Sequence, residues 1–305
     1  MPPFVTVVLP VYNESAWIER SLGAILAQDY PAECMEVLVV DGLSTDSTPA
    51  QVRQIAARDP RVRLLYNPCR IQAISMNRAV AEARGEFIVR VDGHTLIAPD
   101  YVSRCIHHLQ ATGADNVGGP QRFVGITATG KAIAAAYRSP FSVPSRFTVS
   151  DTAEYVDTVY LGAWPRSVFD RIGGFDELKI NEDYLFNYRI RKAGGRIYLS
   201  PDIRSDYYGR QTFSALARQF FNYGIGKFGV LATHPASTHP RHLIAPVFVA
   251  ALVGGALLAP FSRIISILWK LTLISYALAN AAATIHQCRR AGWQHLTRLP
   301  LVFTT

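Results

Sequence analysis

Two short aliphatic runs, EVLVV and GEFIVRV, each stop at an aspartate, Asp41 and Asp92. Apolar, β-branched runs of this length read as buried strands, and two more lie at 4–9 and 62–66. Between them, 15–28, 45–58 and 73–83 carry helical apolar spacing, with Ile18, Leu22, Ile25 and Leu26 on one face of the first. Ser15 is the expected cap of that helix, and Thr45 to Thr48 supply start chemistry for the next. Strands spaced by helices imply a parallel, right-handed, doubly wound sheet. Ligands of such sheets bind beyond the carboxyl ends of the strands, so Asp41 and Asp92 are predicted to face one crevice. A carboxylate at such a place beside a charged ligand needs a metal between them, or else reads a sugar or a base. Asp41 has a plainer role open to it, capping the helix that starts near Ser47.

The second half predicts a helix over 100–111, a strand ending at Gly118 and a helix over 128–137. That last helix lies in an irregular segment, 121–160, where acceptor specificity is expected to reside. A short helix from Pro165 breaks at Gly173 and Gly174, and another runs from Glu182 to Gly194 and Gly195, followed by a strand over 196–199. Glu182 and Asp183 fill its first turn, which the helix dipole alone favours. An amphipathic helix over 212–223 places aromatic residues beside Arg218 and suits a membrane interface.

Hydrophobic residues make up 49% of the 305 and charged residues 18%. The apolar excess is concentrated late: 243–261 carries no charge and 264–285 only Lys270. Each run is long enough to cross a bilayer as a helix. Gly254, Gly255 and Lys270 favour the competing picture of two buried helices in a soluble domain. Arg241 and His242 precede the first run, Arg289, Arg290 and Arg298 follow the second, and Arg263 lies between. The positive-inside bias then puts both chain ends in the cytoplasm around a tight hairpin.

A net charge of +8 suits either nucleic acid or an anionic membrane with a phosphate-bearing substrate. With no compact Lys/Arg run and no zinc spacing, nucleic acid is not expected as a partner. His107, His108, His234, His239 and His242 show no ligand spacing either. Cys34, Cys69, Cys105 and Cys288 form no CxxC pair and read as reduced thiols of a cytoplasmic domain. No cleaved leader is expected, and RLPLVFTT, within 291–305, reads as the start of a truncated segment.

Five motifs then occur in order: VVLPVYNE at 7–14, VVDGLSTDST at 39–48, MNRAVAEARGEFIVRVDGHT at 76–95, GGFDE at 173–177 and NED at 181–183. Together they resemble an inverting family 2 glycosyltransferase with a GT-A fold. DGH, the NP at 67–68 and RQFFNYGIGK at 218–227 point to the ExoA-type succinoglycan branch. The resemblance implies an α/β nucleotide-diphospho-sugar transferase with a doubly wound mixed sheet over 1–230, including an interfacial helix near 212–225. Two transmembrane helices, 243–261 and 264–285, would fill 240–290.

It also implies a UDP-sugar donor and a divalent metal, Mn2+ or Mg2+. By position, Pro10, Tyr12 and Glu14 would line the nucleotide pocket, Asp41 would bind the base, and Asn77 and Arg90 would brace the pocket. Asp92 matches the first aspartate of the DxD metal motif, while the third position is His94, an imidazole able to ligate the metal. A cation is needed because cleavage leaves a charged diphosphate. The acceptor hydroxyl is a poor nucleophile and needs a carboxylate in reach. Asp183 matches the catalytic base, with Glu182 a structural neighbour or a second acceptor contact.

Two departures matter. The QxxRW motif of processive synthases is here Gln219 to Tyr223 without Arg or Trp, which implies addition of a single sugar. Tyr208 stands before Gly209 and Arg210 where relatives often carry histidine, which bears on metal affinity. The expected activity is transfer of one hexose, glucose by analogy, to a lipid-linked saccharide in exopolysaccharide or cell-surface glycan synthesis. The expected setting is the cytoplasmic (inner) membrane, multi-pass, with the catalytic domain facing the cytoplasm and other glycan-assembly proteins as partners. Competing readings are a polyprenyl-phosphate glycosyltransferase and a non-catalytic subunit of a membrane assembly complex. A dehydrogenase is disfavoured because no G-x-G-x-x-G follows the first strand.

Overall fold

The structure, a computed structural model, describes residues 1–142, 151–237 and 243–305. His239, Arg241 and His242 lie outside the described residues. The chain forms two units: Met1–Val124 with Ser145–Gly209, and Gly125–Pro144 with Arg210–Thr305.

In the first unit, β1 (Val5–Val11), β2 (Met35–Asp41), β3 (Val62–Tyr66) and β4 (Phe87–Arg90) are parallel in the order β3-β2-β1-β4. The sheet continues as β9 (Tyr160–Pro165), β6 (Asn116–Gly119), β10 (Ile197–Leu199) and β8 (Glu154–Val156). β9 runs antiparallel to both β4 and β6, so the sheet is mixed. A second sheet joins β5 (Thr95–Ile97), β11 (Ser205–Tyr207) and β7 (Gln121–Phe123).

Side-chain alternation builds a core on each face of the large sheet. Val5, Val7 and Leu9 point with Val37, Val39 and Val89 to one side, against α1 (Ile18–Leu26) and α4 (Tyr101–Thr112). Val8, Leu38, Val40 and Ile88 point to the other, against α3 (Gln72–Glu82), α6 (Arg166–Ile172) and α7 (Glu182–Lys192). On that second face Trp164 of β9 packs edge-on against Phe175 and Phe186, whose own rings stack at 4.2 Å. This cluster fixes the start of α7 against the sheet.

Helix starts differ from expectation for local reasons. α1 begins at Ile18 without a side-chain cap; the Glu14 carbonyl accepts from the amides of Trp17 and Ile18, and the Ser15 amide donates to Asp46. Asp46, and not Asp41, serves α2 (Thr48–Ala56), its Oδ1 accepting from the Thr48 amide at 3.0 Å and hydroxyl at 2.6 Å.

In the second unit, α5 (Ala128–Tyr137), α8 (Phe213–Thr233), α10 (Arg263–Ala291) and α11 (Leu299–Thr304) share a small core that includes Ala132, Ile133, Leu216, Cys288, Leu299 and Val302. α8 runs ten residues beyond the expected 223, through three glycines that mask its helical pattern. α9 (Ile244–Leu258) pairs with α10, where Trp269 Nε1 donates to the Leu252 carbonyl at 2.9 Å. A Cβ on Gly255 would lie 2.4 Å from Trp269 Cδ1, so this glycine permits close helix packing. The segments Ile244–Phe261 and Arg263–Ala291 are long and apolar enough to cross a membrane; the first has no buried residue, and in the second Asn280, Thr284, Gln287 and Cys288 are buried near its end.

At the register shift between β6 and β9, a Cβ on Gly119 would sit 1.6 Å from the Ile203 carbonyl oxygen. Gly119→Ala is therefore expected to destabilise the first unit by ~2 kcal/mol or more, because backbone must move. Thermal unfolding followed by the fluorescence of buried Trp164 checks this; an unchanged midpoint contradicts the packing described.

Candidate active site

The loops leaving β1 and β2 are sewn together by short polar side chains. The Asn13 amide donates to Ser44 Oγ at 2.8 Å, the Thr45 amide to Asn13 Oδ1 at 2.8 Å, and the Glu14 amide to Thr48 Oγ1 at 2.9 Å. Burial would raise the Asp46 carboxyl, but hydrogen bonds from Thr48 and Ser15 outweigh it and hold the group down at about 2. Asn13, Leu43 and Arg70, one in each loop after β1, β2 and β3, sit in the left-handed region at φ 54°, 58° and 56°. Such residues cost about 1–3 kcal/mol each and concentrate at functional sites.

Asp41 ends β2 fully buried, its Oδ1 accepting from the Ser44 hydroxyl at 2.5 Å and its Oδ2 from the Ser44 amide at 3.0 Å. Pro10 is buried within β1, paired in register with Val40. Tyr12, beyond the strand end, is exposed, with the Arg70 guanidinium 5.4 Å over its ring.

Asp92, Gly93 and His94 form the turn from β4 to β5. The turn is pinned by Ser21 Oγ donating to the Gly93 carbonyl at 2.5 Å, and a Cβ on Gly93 would meet Glu14 Cγ at 2.8 Å. His94 Nδ1 lies 2.8 Å from Glu14 Oε1. Arg90, at the end of β4, is buried and bridges two carboxylates: Nε donates to Asp92 Oδ1 at 2.9 Å and a terminal nitrogen to Glu182 Oε1 at 3.3 Å. Gln72 also donates to Asp92 Oδ1, at 3.2 Å.

Burial alone would make Arg90 easier to deprotonate, but Asp92, Glu182 and Asp183 reverse this and hold it firmly charged. Glu182 is pushed up to about 7, first by burial and then by the neighbouring Asp183 charge, with Arg90 opposing. Asn181, left-handed at φ 67°, turns the chain so that Glu182 and Asp183 open α7. Asp183 is only half-buried, so two adjacent carboxyl groups stand in different environments.

The structure thus joins Arg90, Asp92 and Glu182 directly, sets Asp183 beside them, and links His94 to Glu14. Asp41 lies two strands from Asp92, with β1 between. Asn77 does not face this group: both of its amide atoms bond the Phe175 backbone, at 2.7 and 2.8 Å, and so clamp the GGFDE loop. Gln72, Ser44 and the Arg90 bridge carry no signal in the sequence; of the loop stitching, only the DST spacing is visible there.

Among the described residues no three His, Cys, Asp or Glu side chains could hold a metal together. Asp92 Oδ1 is taken by Arg90 and Gln72, while no described residue bonds Oδ2. This donor set fits a cation that takes one carboxylate oxygen from the protein and its other ligands from a diphosphate, the usual manner of Mg2+.

The family model for Glycosyl transferase family 2 matches residues 6–161, and that for Glycosyl transferase family group 2 matches 87–283. Over 257 residues the chain is 34% identical to the succinoglycan biosynthesis protein ExoA of Rhizobium meliloti (strain 1021), covering 83% of this chain and 77% of that one. The mannosyltransferase PcManGT from Pyrobaculum calidifontis, solved with GDP-Man and Mn2+, matches with TM-score 0.60 and 22% identity over 100% of this chain and 86% of its own. S. aureus TarS 1–349, solved with UDP-GlcNAc, matches with TM-score 0.54 and 22% identity over 68% of this chain, which spans 59% of that one. At these identities the two structures show the fold, which is GT-A. The chain belongs to glycosyl transferase family 2 and is a glycosyltransferase.

The Glu182 environment sets a pH dependence. The unfolded carboxyl titrates near 4.5 and the native one near 7, so the native state holds the extra proton between these values. Stability is thus lost as pH rises through that window and is level above it. Glu182→Gln, which cannot ionise, should gain stability over the parent as pH climbs from about 4.5 to about 7, whatever the constant offset between them. Paired thermal melts across pH test this; a parallel pair of curves contradicts it.

Proposed function

We propose that the chain transfers one hexose, glucose by analogy with the branch it resembles, from a UDP-sugar to a lipid-linked saccharide, with inversion at the anomeric carbon. The observation that carries this reading is the buried Arg90 holding Asp92 and Glu182 in one charged group, with the less buried Asp183 at its edge. The resemblance to ExoA supports a surface or extracellular polysaccharide as the eventual product.

Pro10, Tyr12 and Glu14 line the nucleotide side of the crevice. A uracil imide N–H would take the place of the Ser44 hydroxyl on Asp41, which makes the base pocket selective for a donor at that point. Asp92 would hold a divalent cation, Mn2+ or Mg2+, through Oδ2, and its charge stabilises the departing diphosphate. His94, turned on to Glu14, supports that turn. Asp183 accepts the proton of the acceptor hydroxyl, whose oxygen attacks the anomeric carbon on the face opposite UDP. Glu182, whose carboxyl is pushed up to about 7, contacts the acceptor or keeps α7 in place.

The exposed apolar lengths of α9 and α10 would enter the inner membrane. The chain passes between its two units three times, so the catalytic unit is tethered wherever the helical unit is embedded.

A donor screen on membranes containing the chain, following UDP release, tests the reading. Asp183→Asn should lower transfer by ~10²- to 10⁴-fold while UDP-sugar still binds. Asp92→Ala and EDTA should each abolish transfer. Full activity of Asp183→Asn removes the base assignment and favours a phosphate acceptor, which needs no base; full activity with EDTA removes the metal.

A further inference from the structure

Charge is divided unequally between the two units. The chain has 31 Lys and Arg and 23 Asp and Glu; the second unit holds eleven of the former and none of the latter. The first unit therefore keeps 20 basic and all 23 acidic residues. No cation of the second unit has a carboxylate of its own unit to pair with.

On α8 this excess meets a cleft of about 300 Å³ lined by Arg210, Ser214, Ala215, Arg218, Gln219 and Asn222. Ser214, Arg218 and Asn222 recur every four residues and so share one helix face. Among the described residues neither the Arg210 nor the Arg218 guanidinium has a hydrogen-bond or ion-pair partner. A guanidinium carries donors and a positive charge, so a cleft with two of them, both exposed, favours an anion, and planar forks suit phosphoryl oxygens best. Further along the same helix Phe221, Ile225 and Phe228 are 70%, 58% and 73% exposed. Donors for an anion followed by bare aromatic and aliphatic side chains match an amphiphile with a phosphorylated head and a hydrocarbon tail.

We propose that this cleft binds the diphosphate that joins a saccharide to its lipid carrier. Arg210 and Arg218 each hold a phosphoryl group, Ser214 and Asn222 donate to the same oxygens, and Phe221, Ile225 and Phe228 lie along the carrier's hydrocarbon. Two guanidiniums in one cleft favour a diphosphate over the single negative charge of a bulk phospholipid headgroup, because attraction scales with the product of the charges. The assignment rests on the lipid-linked acceptor proposed above and adds the place where the chain grips it.

The test is equilibrium binding of a radiolabelled polyprenyl diphosphate to the full chain in neutral phosphatidylcholine nanodiscs. The double variant Arg210→Gln with Arg218→Gln should bind it ~100-fold more weakly, roughly tenfold for each guanidinium removed. Arg210→Lys with Arg218→Lys should keep most of the affinity, and UDP binding, which reports a folded catalytic unit, should be the same in all three. Parent-like binding by the Gln variant overturns the proposal. Equal competition by phosphatidylglycerol overturns it in favour of a headgroup site, and equal competition by inorganic pyrophosphate in favour of a free-anion site. Binding is read without turnover. Intact, Arg-dependent binding without transfer to any lipid-linked saccharide counts against the proposed function and leaves the cleft standing, while transfer with Arg-independent binding does the reverse.

Discussion

A guanidinium buried at the end of β4 holds the candidate site of the first unit together. Moving one ion out of water costs several kcal/mol even after relaxation, so Arg90 is tolerable only with partners. It has Asp92 at 2.9 Å and Glu182 at 3.3 Å, with the Asp183 charge also acting on it. Three carboxyl groups around one cation leave an excess of negative charge in a poorly solvated place. The structure relieves it by raising Glu182 to about 7, so that one carboxyl is readily protonated. The same excess is what a divalent cation would neutralise at the open oxygen of Asp92. Protonation of Glu182 and cation binding are thus two answers to one electrostatic problem.

That arrangement depends on joining residues 92 positions apart in the chain. The joint is β9, whose antiparallel register sets Trp164 opposite Ile88 of β4. Trp164 then carries Phe175 and Phe186, and Phe186 lies one turn into α7. Asn77 closes the same loop from α3 by bonding the Phe175 backbone on both sides. The residues placed by the sequence in the pocket wall therefore divide: Arg90 touches the acidic group itself, while Asn77 acts on it through Phe175.

What can be read from the sequence follows from how local each signal is. β3 and α5 fall on their expected bounds because a short, largely aliphatic run and an alanine-rich stretch define them. β9 escapes such a reading, since YLGAWP mixes Gly162 at φ 111° and Leu161 at φ 60° into a strand fixed by its neighbours. β5, β7, β8 and β11 are three residues long, too short for any periodicity to emerge. Asp92 stands out by its strand-end position and Asp183 by its place after the GGFDE motif, but the Arg90 bridge does not, because it depends on the fold of everything between. Asp41 shows the same limit: its strand-end position is legible, its two bonds to Ser44 are not.

The anchoring proposed for the helical unit implies a different solvent. α9 has no buried residue, and Val247, Val253 and Leu257 are more than half exposed, large apolar side chains clustered on one helix. Gly255, which in the sequence favours a soluble helix, lets Trp269 reach the α9 backbone, a close contact that also suits apolar helices paired in lipid. Arg289 and Arg290 then close α10 where the helix dipole is negative, the same end at which a cytoplasmic flank would carry positive charge. Lacking any Asp or Glu, this unit would gain from each anionic headgroup beside it once anchored, by about 1 kcal/mol per basic residue at the surface. Hydrophobic length and one-sided charge therefore act in the same direction, which is why the anchoring proposed for α9 and α10 does not depend on either alone.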